Sequence, residues 1–206
     1  MITKTYIAIS RSILILAAVF AAQAVSAQDD VEQGRLLAYT CMGCHGIDGY
    51  RNAYPSYRVP KLGGQKGAYI KAALIAYRDG QRPHPTMQAQ GGSLSDADID
   101  NLTAWFEALQ PPASDNLDGD DVAGFAPATL CVTCHGVAGT GVAPQPPVLS
   151  GQHEDYLVHA LQQYRDGKRT GNIMAAFAAT LSDSDIATLA AFYAKQGGLF
   201  TPEKDQ

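Results

Sequence analysis

The chain's most reactive side chains come in two matched groups. Residues 41–46 read CMGCHG and residues 131–136 read CVTCHG, so Cys41, Cys44 and His45 recur as Cys131, Cys134 and His135. A zinc knuckle uses two thiols at this spacing, but its partner knuckle usually follows within about 15–20 residues. Here the second copy lies far off, and one knuckle with an adjacent histidine does not easily wrap a tetrahedral ion. A disulfide within each pair suits an oxidising compartment, yet it leaves the repeated histidine without a purpose. Covalent haem attachment uses every residue. The two thiols add across the porphyrin vinyl groups, and the histidine that follows is held beneath the iron as a proximal ligand. The motif pair therefore implies two covalently bound haem c groups.

Iron held this way calls for a sixth ligand. Beyond the leader the sequence has Met42, Met87 and Met174. Met42 lies inside the first attachment loop and cannot reach the opposite haem face. Met87 and Met174 occur in register, one per repeat. Their surroundings, RPHPTM and RTGNIM, read as loops. A lone methionine is ordinarily core filler, but register and the lack of alternatives make these two the axial candidates. His84 competes in the first repeat, though Gly171 stands at its equivalent position. His153 and His159 have no histidine counterparts and read as surface or partly buried residues.

The elements that must position these groups are duplicated. The cysteine motifs are offset by 90 residues, and the sequence beyond them by 87. PKLGGQKGAYIKAALIAYRDGQR from Pro60 matches PVLSGQHEDYLVHALQQYRDGKR from Pro147, and LSDADIDNLTAW from Leu94 matches LSDSDIATLAAF from Leu181. Such self-similarity means two homologous domains. QPPASDNLDGD, residues 110–120, reads as a linker, which gives domains over 28–111 and 112–206. Tyr69, Ala73 and Tyr77 share a helical face, as do Tyr156, Ala160 and Tyr164. Gly80 and Gly167 are stop signals. Ser95 and Ser182 read as N-caps, each opening an apolar stripe: Ile99, Leu102 and Trp105, then Ile186, Leu189 and Phe192. A short helix is expected before CMGCH, and its counterpart runs through Pro127, where proline suits a first turn. The fold class expected is all-α, two tandem domains related by an internal repeat.

Residues 1–27 read as a secretory leader. Lys4 and Arg11 precede SILILAAVFAAQAVSA, and Val25 and Ala27 suit a cut before Gln28. The apolar run is short for a membrane span of about 20 residues, so an exported chain is expected. Without the leader, 13 basic side chains face 20 acidic ones. Residues 28–112 carry a net charge of −1 and residues 113–206 carry −6. Excess acid argues against bulk nucleic-acid binding, and the asymmetry can orient the molecule toward a charged partner. It also predicts the lower reduction potential in the second domain.

The succession CxxCHG, P-x-L-x-G-Q-x-x-Y, Y-R-D-G-x-R, methionine and L-S-D-x-D-I, given twice, resembles the dihaem class I cytochromes c of the c-four type. The resemblance covers almost the whole chain beyond the leader. It implies two cytochrome c folds packed about a pseudo-twofold relation, with the haem edges close enough for rapid electron exchange. It implies a periplasmic protein, often loosely membrane-associated, that passes electrons to terminal oxidases. Pro60 and Pro147 match the proline whose carbonyl accepts the proximal imidazole N–H, a bond that orients the ring. Arg78, Arg82, Arg165 and Arg169 are candidates to neutralise haem propionates across the domain interface. Solvated helix-end charge is the other reading of all four. Tyr77 and Tyr164 are core aromatics or propionate donors. RNAYPSYRVP makes the first domain's loop longer than its counterpart, which leaves open what surface the first haem edge presents.

The expectation is a monomeric electron-transfer protein, not an enzyme, with irons held by His45 and Met87 and by His135 and Met174. Its expected partners are redox proteins: a respiratory donor complex and a terminal oxidase or dehydrogenase. The alternative is a dihaem subunit of a flavocytochrome or other dehydrogenase complex. A dihaem peroxidase fits less well, because it needs one iron with an open or displaceable ligand.

Overall fold

The computed structural model describes residues 28, 30–109, 128–142 and 146–203. The leader, the linker from residue 110 and Pro127 lie outside the described residues. The protein is all-α: among the described residues, β-pairing is limited to the isolated bridges Arg51–Arg58 and Gly63–Phe200.

In the first half, α1 (30–38) leads into α2 (Met42–His45), followed by α3 (Gly67–Arg78), α4 (Pro85–Gly92) and α5 (Asp96–Ala108). The second half has α6 (Ala128–His135), α7 (Glu154–Arg165), α8 (Met174–Ala178) and α9 (Asp183–Lys195). The repeat is kept in three dimensions, since α3 packs on α4 and α5 as α7 packs on α8 and α9. Local signals explain the ends. Ser95 and Ser182 each form a full capping box with the aspartate three places on, Asp98 and Asp185. Gly80 and Gly167 take φ of 74° and 67° just past α3 and α7, a left-handed turn that glycine adopts without a Cβ penalty.

The first core gathers Ala38, Met42, Ile70, Leu102, Trp105 and Phe106. Met42 is thus core filler. α1 crosses α5 at Gly34, where a Cβ would stand 2.0 Å from the Asn101 carbonyl oxygen and 2.8 Å from Trp105 Cβ. Only glycine permits that approach. The second core gathers Ala128, Leu157, Leu189, Ala190 and Tyr193.

A third, smaller cluster joins the halves: Tyr57 from the longer first loop packs on Tyr156 and Ala160 of α7. Around it, Asp155 Oδ2 accepts the Arg58 backbone N–H at 3.2 Å and meets the Arg51 guanidinium at 3.0 Å. At the other side the C-terminal segment crosses to the first half. Gly63 and Phe200 exchange both backbone hydrogen bonds at 3.1 Å. A Cβ at Gly63 would strike the Phe200 ring at 2.6 Å.

Candidate functional site

Each cysteine motif begins or lies within a helical turn, so its histidine follows the second thiol on a fixed backbone. Cys41 and His45 are joined by a 2.8 Å backbone bond from the histidine N–H to the cysteine carbonyl. The four thiols are free of disulfides, and burial pushes those of Cys41 and Cys131 up. Among the described residues, no group of three or more histidine, cysteine or acidic side chains converges as a metal cluster would.

The two histidines have matching partners. His45 Nδ1 lies 2.8 Å from the Pro60 carbonyl oxygen, and His135 Nδ1 lies 3.0 Å from that of Pro147. A carbonyl only accepts, so Nδ1 must carry the proton in both rings. That tautomer leaves the Nε2 lone pair available to a metal. Burial, opposed by the Pro60 bond, holds the His45 imidazole down at about 4. His135 is likewise lowered by burial. Both rings are therefore neutral near pH 7, the state in which imidazole ligates iron.

Met87 and Met174 are not in loops, as their neighbours in sequence suggest. Met87 lies in the first turn of α4, and Met174 opens α8. Pro85 permits α4 to start, because proline at a first helical position gives up only an N–H that had no partner. A side chain from upstream fixes each methionine's backbone. His84 caps α4, its Nδ1 accepting from Met87 N at 3.2 Å, while its Nε2 lies 3.1 Å from Asn52 Oδ1. In the second half, Asn172 Oδ1 accepts from Met174 N at 2.9 Å. His84 thus spends both ring nitrogens on holding α4. His153 stands at the N-cap of α7 without a side-chain cap bond, and His159 stacks on Tyr57.

The four arginines divide into two kinds. Arg78 bonds Asp96 and Arg165 bonds Asp183, at 2.8 and 2.7 Å, beside the partly exposed ends of α3 and α7. Arg82 and Arg169 are 6% and 3% exposed, and among the described residues neither forms an ion pair with a carboxylate. Arg82 Nη2 donates to the Tyr156 hydroxyl across the domain boundary at 2.5 Å, and Nη1 donates to that of Tyr69 at 3.3 Å. Its guanidinium also sits 4.5 Å from the Tyr77 ring centre, as that of Arg169 sits 5.3 Å from Tyr164. Arg169 Nε donates to Gln163 at 2.6 Å. Arg82 Nε is buried with no partner. Burial opposes ionisation of Tyr156, but Arg82 and Arg169 outweigh it and bring the phenol down.

Two buried cations facing phenols, with one N–H unanswered, are costly unless an anion joins them. Carboxylates carried on a covalently attached porphyrin would answer that demand. The donor set agrees: thiols for the vinyl groups, neutral imidazoles with free Nε2, and one in-register thioether per domain. The chain's residues fit two haems.

Sequence reasoning missed three contributors. Gln65 and Gln152, in the repeated G-Q of both copies, reach into the opposite domain. Gly34 recurs as Gly124, at the same 90-residue offset as the cysteine motifs, but it lies outside the motifs that define the repeat. The long first loop was visible as an insertion, but its contact with α7 was not.

The chain is similar to known proteins. A family model described as cytochrome c matches residues 121–195, and one described as cytochrome c oxidase, cbb3-type, subunit III, matches residues 30–106. The chain is 36% identical over 191 residues to a cytochrome c4 from Azotobacter vinelandii, covering 81% of this chain and 89% of that one. It is 32% identical over 193 residues to a thiosulfate dehydrogenase electron acceptor from Stutzerimonas stutzeri (strain A1501), covering 85% and 88%. Among solved structures, reduced recombinant cytochrome c4 from Pseudomonas stutzeri aligns at a TM-score of 0.64 and 30% identity, covering 82% of this chain and 98% of that one. The thiosulfate dehydrogenase of Marichromatium purpuratum aligns at 0.64 and 32% identity, and there the match spans 81% of this chain and 40% of that one.

Proposed function

This chain belongs to the dihaem cytochrome c4 family, and from that membership we propose that it is an exported carrier of single electrons between a respiratory donor and a terminal oxidase. The observation that carries the reading is the duplicated CxxCH turn, each histidine locked by its Nδ1 to a proline carbonyl.

The chain divides into domains at 28–111 and 112–206 once the leader is cut near Ala27, and it acts in the periplasm as a monomer. Among the described residues no helix is long and apolar enough to cross a membrane. Cys41 and Cys44, and Cys131 and Cys134, anchor the haems, each of which supplies a ferrous–ferric couple. His45 and His135 would hold each iron through Nε2, and Met87 and Met174 through thioether sulfur, a ligand pair that would raise the potential. Arg82 and Arg169 neutralise propionates, with Tyr69 and Tyr156 as further donors. Arg78 and Arg165 fall outside that role, because their guanidinia are committed to Asp96 and Asp183. Irons held by both residues of each pair would leave no position for a substrate, which favours a carrier over an enzyme.

A second reading is an electron-accepting subunit of a dehydrogenase complex. The similarity to a thiosulfate dehydrogenase electron acceptor favours it. Copurification separates the two: a carrier purifies alone and reduces an oxidase, whereas a subunit comes with its dehydrogenase.

The site reading is tested by haem stoichiometry and optical spectra of the matured protein. Two covalent haems and the weak far-red methionine–iron band of the oxidised state are expected. Met87→Leu and Met174→Leu should each remove one contribution to that band. An unchanged band in the double variant rejects the axial assignment.

A further inference from the structure

We infer that Gln65 and Gln152 each tune the haem of the opposite domain, by polarising the peptide that accepts the proton of its proximal histidine. The inference rests on reading His45 and His135 as the proximal ligands.

The geometry is reciprocal. Gln152, from the second domain, accepts from Lys61 N at 3.0 Å on Oε1 and donates from Nε2 to the Lys61 carbonyl at 3.1 Å. Gln65, from the first domain, accepts from Val148 N at 2.9 Å and donates to the Val148 carbonyl at 3.0 Å. Each Oε1 also accepts the backbone N–H of the next residue in its own domain, Lys66 for Gln65 and His153 for Gln152. Two N–H donors aimed at one atom fix which end of the amide is oxygen. Both glutamines are buried, at 5% and 4% exposure, so their carboxamides do not trade these bonds for water.

The N–H of Lys61 belongs to the same peptide unit as the carbonyl of Pro60, and that of Val148 to the same unit as the carbonyl of Pro147. The chain of contacts therefore runs from Gln152 Oε1 through the Pro60–Lys61 peptide to His45 Nδ1. Its twin runs from Gln65 through Pro147–Val148 to His135. Hydrogen bonds in series strengthen one another, by roughly 10–30% per bond. A peptide whose N–H is engaged is a better acceptor at its carbonyl. The imidazole then gains anionic character, which favours ferric iron and lowers the potential. Docking of the domains is thereby written into the electronics of both proximal ligands, each domain acting on the other's iron.

The test uses the matured dihaem protein. Gln152→Met keeps bulk and removes the acceptor, and it should raise the potential of the first haem while leaving the second in place. Gln65→Met should do the converse. In the reduced, diamagnetic protein the His45 Nδ1 proton should move upfield in Gln152→Met, and the His135 proton should stay. Should that variant fail to mature, Gln152→Asn, too short to reach Lys61, is expected to shift the same haem in the same direction. Asp155→Asn, which weakens the interface elsewhere, serves as the control and should not give a crossed shift. Potentials that move together in each variant, or that move only in the mutated domain, or that do not move, overturn the inference. A wild-type spectrum without low-spin histidine-ligated haem would overturn the ligand assignment as well. A normal spectrum with uncrossed potentials overturns the tuning alone.

Discussion

The ring of Tyr57 lies flat against that of His159, with centroids 4.0 Å apart and planes 18° off parallel. One ring comes from the longer loop of the first domain and the other from α7 of the second. The insertion that distinguishes the two repeats is therefore one of the parts of the first domain that grip the second. Tyr57→Ala should weaken that docking by about 2–3 kcal/mol, from lost burial and lost ring stacking. Calorimetry should show the thermal transition separating into two. A single transition at the wild-type temperature would mean that the loop does not hold the domains together.

The same stack gives the interface a pH dependence. Burial lowers the His159 imidazole to about 4, with Arg169, His84, Lys168 and Arg82 contributing, against an ordinary value near 6.5. The unfolded chain thus binds a proton at this site between about pH 6.5 and 4, and the folded chain does not. This contribution to stability is complete above about pH 6.5 and is lost as pH falls toward 4. Replacing His159 with glutamine should flatten the stability profile across that window, as read by urea denaturation at a series of pH values.

His84 acts on Met87 through the backbone. His84→Ala removes the cap of α4, at a cost of about 1 kcal/mol. The far-red methionine band of the first haem should weaken while the contribution of the second haem stays. Equal loss from both haems would argue against a local role.

Gly34 and Gly92 make a matched pair of tests. Gly34→Ala forces a Cβ to within 2.0 Å of the Asn101 carbonyl oxygen, and overpacking of this kind costs about 1–3 kcal/mol or more. Gly92→Ala, at the end of α4, meets nothing within 4 Å. It should be neutral or stabilise by up to about 1 kcal/mol. The denaturant midpoint of Gly34→Ala should fall well below that of wild type, and that of Gly92→Ala at or slightly above it.

The charge asymmetry predicts the order of the potentials. The more acidic second half, at −6 against −1, should favour ferric iron and titrate lower. Surface charge is screened over about 10 Å at 0.1 M salt, so the gap between the haems should narrow as salt rises. Potentiometry that finds the second haem higher would refute the ordering.

Much of this was legible in residue order alone. CxxCH, the capping boxes of Ser95 and Ser182, the stops at Gly80 and Gly167 and the stripes of α5 and α9 are all set by residues within a few positions of one another. Local sterics and hydrogen bonding decide such features, so spacing reports them directly, and duplication made each legible twice. Short helices at Met87 and Met174 were harder, because one or two turns carry little periodicity and RPHPTM looks like a loop until His84 is seen as its cap. What only the tertiary structure decided is how the halves meet. Nothing local sets Arg82 against Tyr156, Tyr57 against His159 or Gln152 against Lys61. Those pairs form because two packed cores present matching faces, and the free energy of docking depends on through-space placement that no short window of sequence contains.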